Sequence, residues 1–468
     1  MTYPKKLDIG LVLLPGYQWL DAAGPVDYLN NHSSAIVNGI SFLPESMKEK
    51  APVINWHYIA SDLTPIQSTS GPLQLPSCTF ADCPPLDCIF VPGPRDIFTL
   101  PNGFAEFLKA RLEDPKLFAL LLVCTASLCV AATGILDGKE VASNKFVLRD
   151  LAAEGTLEKG YFKKVKWVGD KRFTVDGKVW SSAGITAGLD LAAEFARVYV
   201  AKELVDMAQE MSEYRPNPAQ PDPFAYMLDG TMSSQEPPRV LNLGLVLIPG
   251  YQWLDGAGPV DYLNNHSHAL ASLLSTLPRS TYDKAPIMKW HYISSDMTPI
   301  QATSGPLQLP SCTYADCPPL DCIFIPGPTD LLSTPKGFTE FIKARLEDPK
   351  LIALLMICTA SFLVASTGIL EGRAVASNKL ALRDLAAAGL LESNEHFKKV
   401  KWVTDKRFTV DGKLWSSAGI TAGLDLAAEF ARVHFAKEVG IMAQEISEYK
   451  PNPADPDPFA YILEGVKV

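Results

Sequence analysis

Residues 7–33 read LDIGLVLLPGYQWLDAAGPVDYLNNHS, and residues 241–267 read LNLGLVLIPGYQWLDGAGPVDYLNNHS. A second pair of segments, LLVCTAS around Cys124 and LMICTAS around Cys358, repeats with the same offset of 234 residues. The offset becomes 235 after a single insertion near Ser393. A repeat of this length indicates a duplicated domain rather than a short solenoid unit.

The segment between the copies, DGTMSSQEPPRVLN at residues 229–242, is rich in Gly, Ser and Pro, which is typical of a linker. We therefore predict two domains, residues 1–228 and residues 243–468. Each copy ends in a proline-dense segment, YRPNPAQPDPF (214–224) and YKPNPADPDPF (449–459), which we interpret as an extended tail packed on the surface. Two linked copies are expected to form a pseudo-dimer within one chain, and the sequence leaves further oligomerisation open.

Composition places the chain among globular proteins with an ample core, with 47% hydrophobic and 20% charged residues over 468 positions. The net charge of −10 argues against nucleic acid or an anionic membrane as a partner. The first apolar run is too short for a signal peptide and is interrupted by Asp8, and no uncharged stretch reaches membrane-spanning length. We expect a cytoplasmic protein that acts on a small molecule.

Nine cysteines without a secretion signal suggest free thiols in a reducing compartment. The five-residue spacing of Cys78, Cys83 and Cys88 lacks both the CxxC pattern and neighbouring histidines, so we predict no metal site. Cys129 is replaced by Leu363 in the second copy, which indicates a packing role.

Each copy alternates apolar strands with helices. In the first copy the pattern predicts strands over residues 8–14, 54–60, 87–91, 118–123, 141–143, 165–168, 172–175 and 179–182. It predicts helices over residues 21–31, 103–113, 126–136, 147–154 and 186–213. This alternation is typical of a doubly wound α/β sheet of flavodoxin-like form.

Cys124 lies where an apolar strand runs directly into a helix of small residues. In a doubly wound sheet that edge is where ligands bind, and a helix N-terminus favours a thiolate, so we expect a partly ionised thiol at neutral pH. The alternative is a buried structural cysteine. Both copies keep Cys-Thr-Ala-Ser while the preceding residue varies between Val123 and Ile357, which favours a functional thiol at Cys124 and Cys358.

A cysteine nucleophile needs a partner that handles its proton, and the histidines offer little. No histidine lies between His57 and His266, so the first copy has none after its cysteine. His57 and His291 alternate within a strand and are expected to pack there. His32 and His266 follow the first helix and are expected to face solvent.

Asp21 and its equivalent Asp255 are better candidates, because they follow the first strand and face the same crevice as the cysteine. The alternative for both is helix capping. Asp27 and Asp261, further along that helix, are expected to lie on a solvated face. Thr125 could orient the thiol, bind substrate or cap the following helix, and the sequence leaves these roles open.

Four segments together resemble the ThiJ/PfpI superfamily, and within it the isocyanide (isonitrile) hydratases. In the first copy they read LDAAGPVDYL, FADCPPLDCIFVPG, VCTASL and GITAGLDLAAEF; in the second they read LDGAGPVDYL, YADCPPLDCIFIPG, ICTASF and GITAGLDLAAEF. The resemblance covers almost all of each copy. It implies a class I glutamine amidotransferase-like fold and an enzyme without a cofactor.

The resemblance also implies a reaction, in which a cysteine thiolate attacks the terminal carbon of R–N≡C and water resolves the thioimidate to an N-substituted formamide. The family's nucleophile, threonine and acid fall on Cys124, Thr125 and Asp21 in one copy and on Cys358, Thr359 and Asp255 in the other. Substrate-binding positions fall on Gly93, Gly184, Ile185, Gly327, Gly419 and Ile420. An aspartate fits the hydratases better than glyoxalase-like members, which carry glutamate at that corner.

Two features depart from the family pattern. Where members commonly have Pro-Gly-Gly after the third strand, both copies have Pro-Gly-Pro, and Pro94 and Pro328 lack an N–H. Where hydratases often have His-Trp, this chain has Ser-Asn-Lys at residues 143–145 and 377–379. The alternatives are therefore another thiol enzyme (an amidase, glyoxalase-like or biosynthetic enzyme) or a redox-sensing or ligand-binding protein.

Overall fold

The computed structural model describes residues 3–41, 43–220, 222, 224, 240–274, 277 and 279–467. The strands of the first copy are β1 (Lys6–Val12), β2 (Val53–Ala60), β3 (Leu73–Leu75), β4 (Cys78–Thr79), β5 (Cys88–Val91), β6 (Ala119–Leu122), β7 (Glu140–Ala142), β8 (Lys166–Val168), β9 (Phe173–Asp176) and β10 (Val179–Ser182). Its helices are α1 (Trp19–Asn30), α2 (Ser34–Val37), α3 (Glu45–Lys48), α4 (Phe104–Glu113), α5 (Ala126–Ala131), α6 (Lys145–Ala153), α7 (Ala187–Tyr199) and α8 (Lys202–Ser212).

The second copy repeats this series. Its strands are β11 (Val240–Val246), β12 (Ile287–Ser294), β13 (Leu307–Leu309), β14 (Cys312–Thr313), β15 (Cys322–Ile325), β16 (Ala353–Met356), β17 (Ala374–Ala376), β18 (Lys401–Val403), β19 (Phe408–Asp411) and β20 (Leu414–Ser417). Its helices are α9 (Trp253–Asn264), α10 (His268–Ala271), α11 (Arg279–Tyr282), α12 (Phe338–Glu347), α13 (Ala360–Ala365), α14 (Lys379–Ala387), α15 (Leu390–Ser393), α16 (Ala422–His434) and α17 (Lys437–Ser447).

Each copy folds around a seven-stranded sheet, in the order β4-β2-β1-β5-β6-β10-β9 and its equivalent β14-β12-β11-β15-β16-β20-β19. All pairs are parallel except the β9–β10 hairpin and its equivalent. The order reverses beside β1, so the carboxyl ends of β1, β5 and β6 meet at the switch point where doubly wound folds bind ligands. The predicted fold class, two tandem flavodoxin-like domains, is confirmed.

Helix α1 lies between the two copies, and all twelve of its residues are buried. It packs against α7 of its own copy and against α9 of the other. A helix that is buried all round needs apolar or paired residues on every face, which explains its small and apolar sequence WLDAAGPVDYLN. Strands β3 and β13 add an antiparallel pair between the copies.

Asp27 and Asp261 were expected on a solvated face, and the structure shows that this is wrong. Both side chains are fully buried at the α1–α9 contact. Asp261 accepts a hydrogen bond from the Leu20 amide at 2.9 Å, and Asp27 accepts one from the Leu254 amide at 3.0 Å. Each carboxyl thus satisfies the first turn of the helix in the other copy, a role that a single-domain reading of the sequence cannot reveal.

The expected exposure of His32 and His266 is also wrong, since both are fully buried. Burial lowers the pKa of each imidazole to about 4, so these histidines are neutral packing residues. His57 is half-buried on β2, where its Nε2 lies 3.4 Å from Asp8.

Two helix predictions also need correction. The predicted helix over residues 186–213 is two helices, α7 and α8, because Val200 adopts an extended conformation after the β-branched and aromatic run from Val198. The helix predicted over 126–136 ends at Ala131. Strand β11 begins at Val240, so residues 240–242 of the predicted linker lie in a strand, while residues 229–239 lie outside the described residues.

Both proline-dense tails reach further inward than predicted, since Asp457 and Phe459 of the second tail are buried. In the first tail, Asp222 and Phe224 are both buried, although the segment was expected to pack on the surface. In the described part of the chain, no helix is long and apolar enough to cross a membrane.

Candidate active site

The backbone turns sharply at each predicted nucleophile. Strand β6 ends at Leu122 and α5 begins at Ala126, and Cys124 between them has a φ of 61°. Cys358 repeats this conformation with a φ of 59°. A side chain other than glycine occupies this left-handed region only at a cost in strain, and such strained residues cluster at active sites. The elbow predicted from the sequence is present in both copies.

Asp21 lies directly beside this elbow. Its Oδ2 accepts a hydrogen bond from the Gly93 amide at 3.0 Å, and its buried Oδ1 has no partner in hydrogen-bonding geometry among the described residues. The N-cap of α1 is Gln18, so Asp21 is not the helix cap that the sequence left open. Only glycine fits at position 93, because a Cβ there would lie 2.4 Å from Thr125 Oγ1 and 2.9 Å from Asp21 Oδ2.

Burial raises the pKa of the Asp21 carboxyl well above its usual value, and the nearby Asp261 adds to that effect. Burial also raises the pKa of the Cys124 thiol, and the charge of Asp21 raises it further. The expectation of a partly ionised thiol is therefore wrong, because only 5% of Cys124 is exposed and an acidic neighbour outweighs the short helix α5. The two neighbouring groups titrate as a coupled pair, and a pair that retains one proton can pass it to a ligand.

Thr125 does not cap α5 with its side chain. Its Oγ1 instead donates a hydrogen bond to the Pro94 carbonyl at 2.8 Å, and Thr359 does the same to Pro328 at 2.9 Å. The main-chain carbonyl at this position therefore holds the threonine next to the thiol, and the bond does not depend on the missing N–H of proline.

The Ser-Asn-Lys segment, which in the sequence is only a departure from the family pattern, contacts the catalytic cysteine and stabilises its position. Ser143 Oγ donates to the Cys124 carbonyl at 3.1 Å, and the Asn144 side chain stabilises the ionised thiol. Asn144 Nδ2 also donates to the Ile446 carbonyl of the other copy at 3.0 Å. The recurrence of all three residues in both copies was the signal that could have identified them.

Glu448 of the second copy reaches into the site of the first, and sequence reasoning missed it. Its Oε1 accepts from the Lys145 amide at 3.0 Å, and its Oε2 lies 3.3 Å from Lys145 Nζ. The buried Lys145 also pairs with Asp222 of the proline-dense tail. Glu213 and Lys379 repeat the arrangement in the opposite direction. Each site is therefore completed by the other copy.

The predicted substrate-binding residues divide into two groups. Gly93 and Ile185 line the cavity above Cys124, and Gly327 and Ile420 line the cavity above Cys358. Gly184 and Gly419 instead face the interface glutamates: a Cβ on Gly184 would lie 2.5 Å from Glu448 Cγ, and the Gly419 amide donates to Glu213 Oε1 at 2.8 Å. Their assignment to substrate binding stays a prediction.

The second site repeats the first closely. Asp255 Oδ2 accepts from the Gly327 amide at 3.0 Å, and its Oδ1 also has no partner among the described residues. Burial raises the pKa values of Asp255 and Cys358 well above their usual ranges. We call the group Asp21, Cys124 and Thr125 site 1, and the group Asp255, Cys358 and Thr359 site 2.

The model of the DJ-1/PfpI family matches residues 9–198 and again residues 246–433. The isonitrile hydratase of Pseudomonas putida is 31% identical to this chain over 212 residues, which cover 45% of this chain and 80% of that protein. A THiJ/PfpI family protein from Pseudomonas syringae is similar at 24% identity and a TM-score of 0.36, over 47% of this chain and 80% of its own. DJ-1 of Schizosaccharomyces pombe matches at 13% identity and a TM-score of 0.34, over 45% of this chain and all of its own. Because the family model matches both copies over most of their length, the chain belongs to the DJ-1/PfpI family and contains its domain twice.

Proposed function

We propose that the protein hydrates isocyanides to N-substituted formamides at both elbow cysteines. The observation that carries the proposal is a buried carboxyl, Asp21, that has a free oxygen and lies beside the thiol of Cys124. The similarity to the P. putida isonitrile hydratase, which extends over 80% of that protein, supports the choice of substrate class.

The addition step needs one proton to move from sulfur to carbon. As the Cys124 sulfur attacks the terminal carbon of R–N≡C, Asp21 Oδ1 accepts the thiol proton and then delivers it to the same carbon, which yields the thioimidate R–N=CH–S. A carboxyl with a raised pKa suits this exchange, because it accepts a proton more readily than an ordinary aspartate does. The charge never leaves the buried pair.

The hydrolysis step returns the enzyme to its starting state. Asp21 takes a proton from water as the oxygen attacks the thioimidate carbon, and passes that proton to the nitrogen. The tetrahedral intermediate R–NH–CH(OH)–S then collapses to the formamide, its hydroxyl proton returns to Cys124, and the sum is R–NC plus water giving R–NH–CHO. Thr125, whose Oγ1 is held by the Pro94 carbonyl, lies next to the reacting sulfur, and we assign it the role of positioning the thiol.

The test is loss of the N≡C infrared band together with chromatographic detection of the formamide. Wild type should turn over, and Cys124→Ala/Cys358→Ala should not. Cys129→Leu is the matched control, because it removes a nearby cysteine and installs the residue that the second copy already carries there.

Asp21→Asn/Asp255→Asn should reduce the rate by about 10²–10⁴-fold, the usual contribution of a positioned acid–base group. Hydration that survives in the double alanine variant would refute the proposal. If no isocyanide of any size is consumed while an alkylating reagent still modifies Cys124, the thiol serves a different reaction and the proposed substrate is wrong.

A further inference from the structure

The two sites keep the same reacting residues but open onto cavities of different size. The cavity above Cys124 has a volume of about 220 Å³, whereas the cavity above Cys358 has about 500 Å³. Because the chemical groups are identical, the difference must come from the walls.

One wall is the first turn of the helix that follows the Ser-Asn-Lys segment. Site 1 has Phe146 and Val147 on α6, and site 2 has Leu380 and Ala381 at the equivalent positions on α14. Both replacements remove volume from the wall of site 2. The flanking asparagines, whose side chains cap these helices, are the same in both copies.

The opposite wall comes from the other copy. Site 1 is covered by residues of copy 2 that include Leu273, and site 2 is covered by residues of copy 1 that include Gly39. The repeat aligns these two positions, so one cavity has a leucine where the other has no side chain. Leu273 is 57% exposed at the rim, where the substituent of a ligand would cover it.

A fourth difference lies in the loop after the third central strand. Arg95 lines site 1, and Thr329 takes its place in site 2. All four differences act in the same direction, each placing the larger side chain in site 1. Together they narrow site 1 while the reacting groups stay the same; one pair, Ile446 in site 1 and Met211 in site 2, runs the other way.

We propose that the duplication has divided substrates by size, with site 1 accepting compact substituents and site 2 accepting bulky aryl or branched ones. The identity of the reaction rests on the proposed function, whereas the size difference is a property of the two cavities. A hydrophobic pocket typically discriminates by about 10–200-fold for one methylene group, so the selectivities should be separable within one chain.

The first experiment uses thiol alkylation, which needs no turnover. Iodoacetamide and its N-benzyl and N-naphthylmethyl derivatives are reacted with the wild-type chain, and peptide mass spectrometry gives the rate at Cys124 and at Cys358. The ratio of the Cys124 rate to the Cys358 rate should fall at least 10-fold from the smallest to the largest reagent. A ratio that stays constant across the series would overturn the proposal.

Exchanging wall residues between the copies provides the matched pair of variants. Phe146→Leu/Val147→Ala should raise the rate of the large reagents at Cys124 toward that at Cys358, and Leu380→Phe/Ala381→Val should lower their rate at Cys358. Each variant receives residues that already occupy the equivalent place in this protein. Arg95→Thr, at an exposed position, is a third variant that leaves the core intact.

Two single-cysteine variants separate this proposal from the proposed function. Isocyanides of graded size are supplied to both variants. Only site 1 can react in Cys358→Ala, and only site 2 can react in Cys124→Ala. Size-dependent alkylation without isocyanide loss would refute hydration and retain the division by size. Hydration of every size at equal rates in both variants would retain hydration and refute the division.

Discussion

Replacing Asp261 by asparagine should change both the stability of the pseudo-dimer and the pH dependence of the site in the other copy. Asp261 Oδ2 accepts from Gln18 Nε2 at 2.6 Å and from the Leu20 amide at 2.9 Å. Its Oδ1 accepts from Thr69 Oγ1 at 3.1 Å and from Ser70 Oγ at 2.7 Å. All four donors belong to copy 1, so one carboxyl carries a large part of the polar contact between copies.

The magnitude follows from these four bonds. Asparagine can still accept from the amide and the glutamine, and its NH₂ can donate to the two hydroxyls, so the bonds are retained but lose their ionic character. A bond to a charged group contributes about 1 kcal/mol more than a neutral one, which gives up to ~4 kcal/mol in total. Burial nevertheless raises the pKa of Asp261, which means that the cost of burying the carboxylate exceeds the ionic gain from these bonds. We therefore expect asparagine to stabilise the fold by up to about 1 kcal/mol.

The second effect is on catalysis at site 1. The negative charge of Asp261 raises the pKa of Asp21, so removing that charge should lower the pKa. In the mechanism proposed above, the active pair of Asp21 and Cys124 holds one proton. The acid limb of the pH–rate profile, on which Asp21 loses its proton, should therefore move to lower pH.

The assay is the pH profile of isocyanide hydration in a Cys358→Ala background, so that only site 1 is measured, together with denaturant unfolding. Asp27→Asn is the matched control, because Asp27 makes the equivalent bonds in the opposite direction and faces Asp255 of the silenced site. Both variants should show the same small rise in stability, and only Asp261→Asn should shift the profile. Equal shifts in the two variants, or a shift to higher pH, would show that the coupling is not electrostatic.

Four further substitutions test other contacts. Gly184→Ala should destabilise the protein, because its Cβ would lie 2.5 Å from Glu448 Cγ. Gly440→Ala should instead stabilise the protein by about 0.5–1 kcal/mol, because position 440 lies within a helix and has open space around it. Denaturant unfolding compares the two variants. Thr125→Val should cost only about 1 kcal/mol of unfolding free energy but slow hydration, which kcat measurements would show, because the bond to the loop after β5 is lost. Lys145→Met should cost about 3–5 kcal/mol of unfolding free energy, since two buried carboxyls lose their cation; an unchanged unfolding curve would contradict that reasoning.

The duplication, the doubly wound sheet and the elbow could be predicted from the sequence because each depends on local pattern. Apolar runs that end in Pro-Gly or in cysteine identify buried parallel strands, and the sheet then brings their carboxyl ends together. Asp21 and Cys124 were found in this way, although they are far apart in the chain. Cys129 is fully buried, as its replacement by leucine in the second copy indicated.

What could not be predicted depends on contacts between the copies. Asp27 looks like an exposed polar residue of a helix, and His32 looks like a solvated residue after it, but α1 is covered on every side once the second copy packs against it. Glu448 lies 324 positions from the thiol that it influences, and no sequence pattern connects them. The thiol pKa was predicted in the wrong direction because the helix N-terminus was weighed without the burial that accompanies it.

The central claim is that one chain contains two working sites, each completed by the other copy. The most direct measurement is isocyanide turnover by wild type, Cys124→Ala, Cys358→Ala and the double variant under one condition. We predict that each single variant retains part of the activity, that the two parts add up to the wild-type rate, and that the double variant is inactive. A single substitution that abolishes all turnover, or a double variant that retains it, would contradict this account.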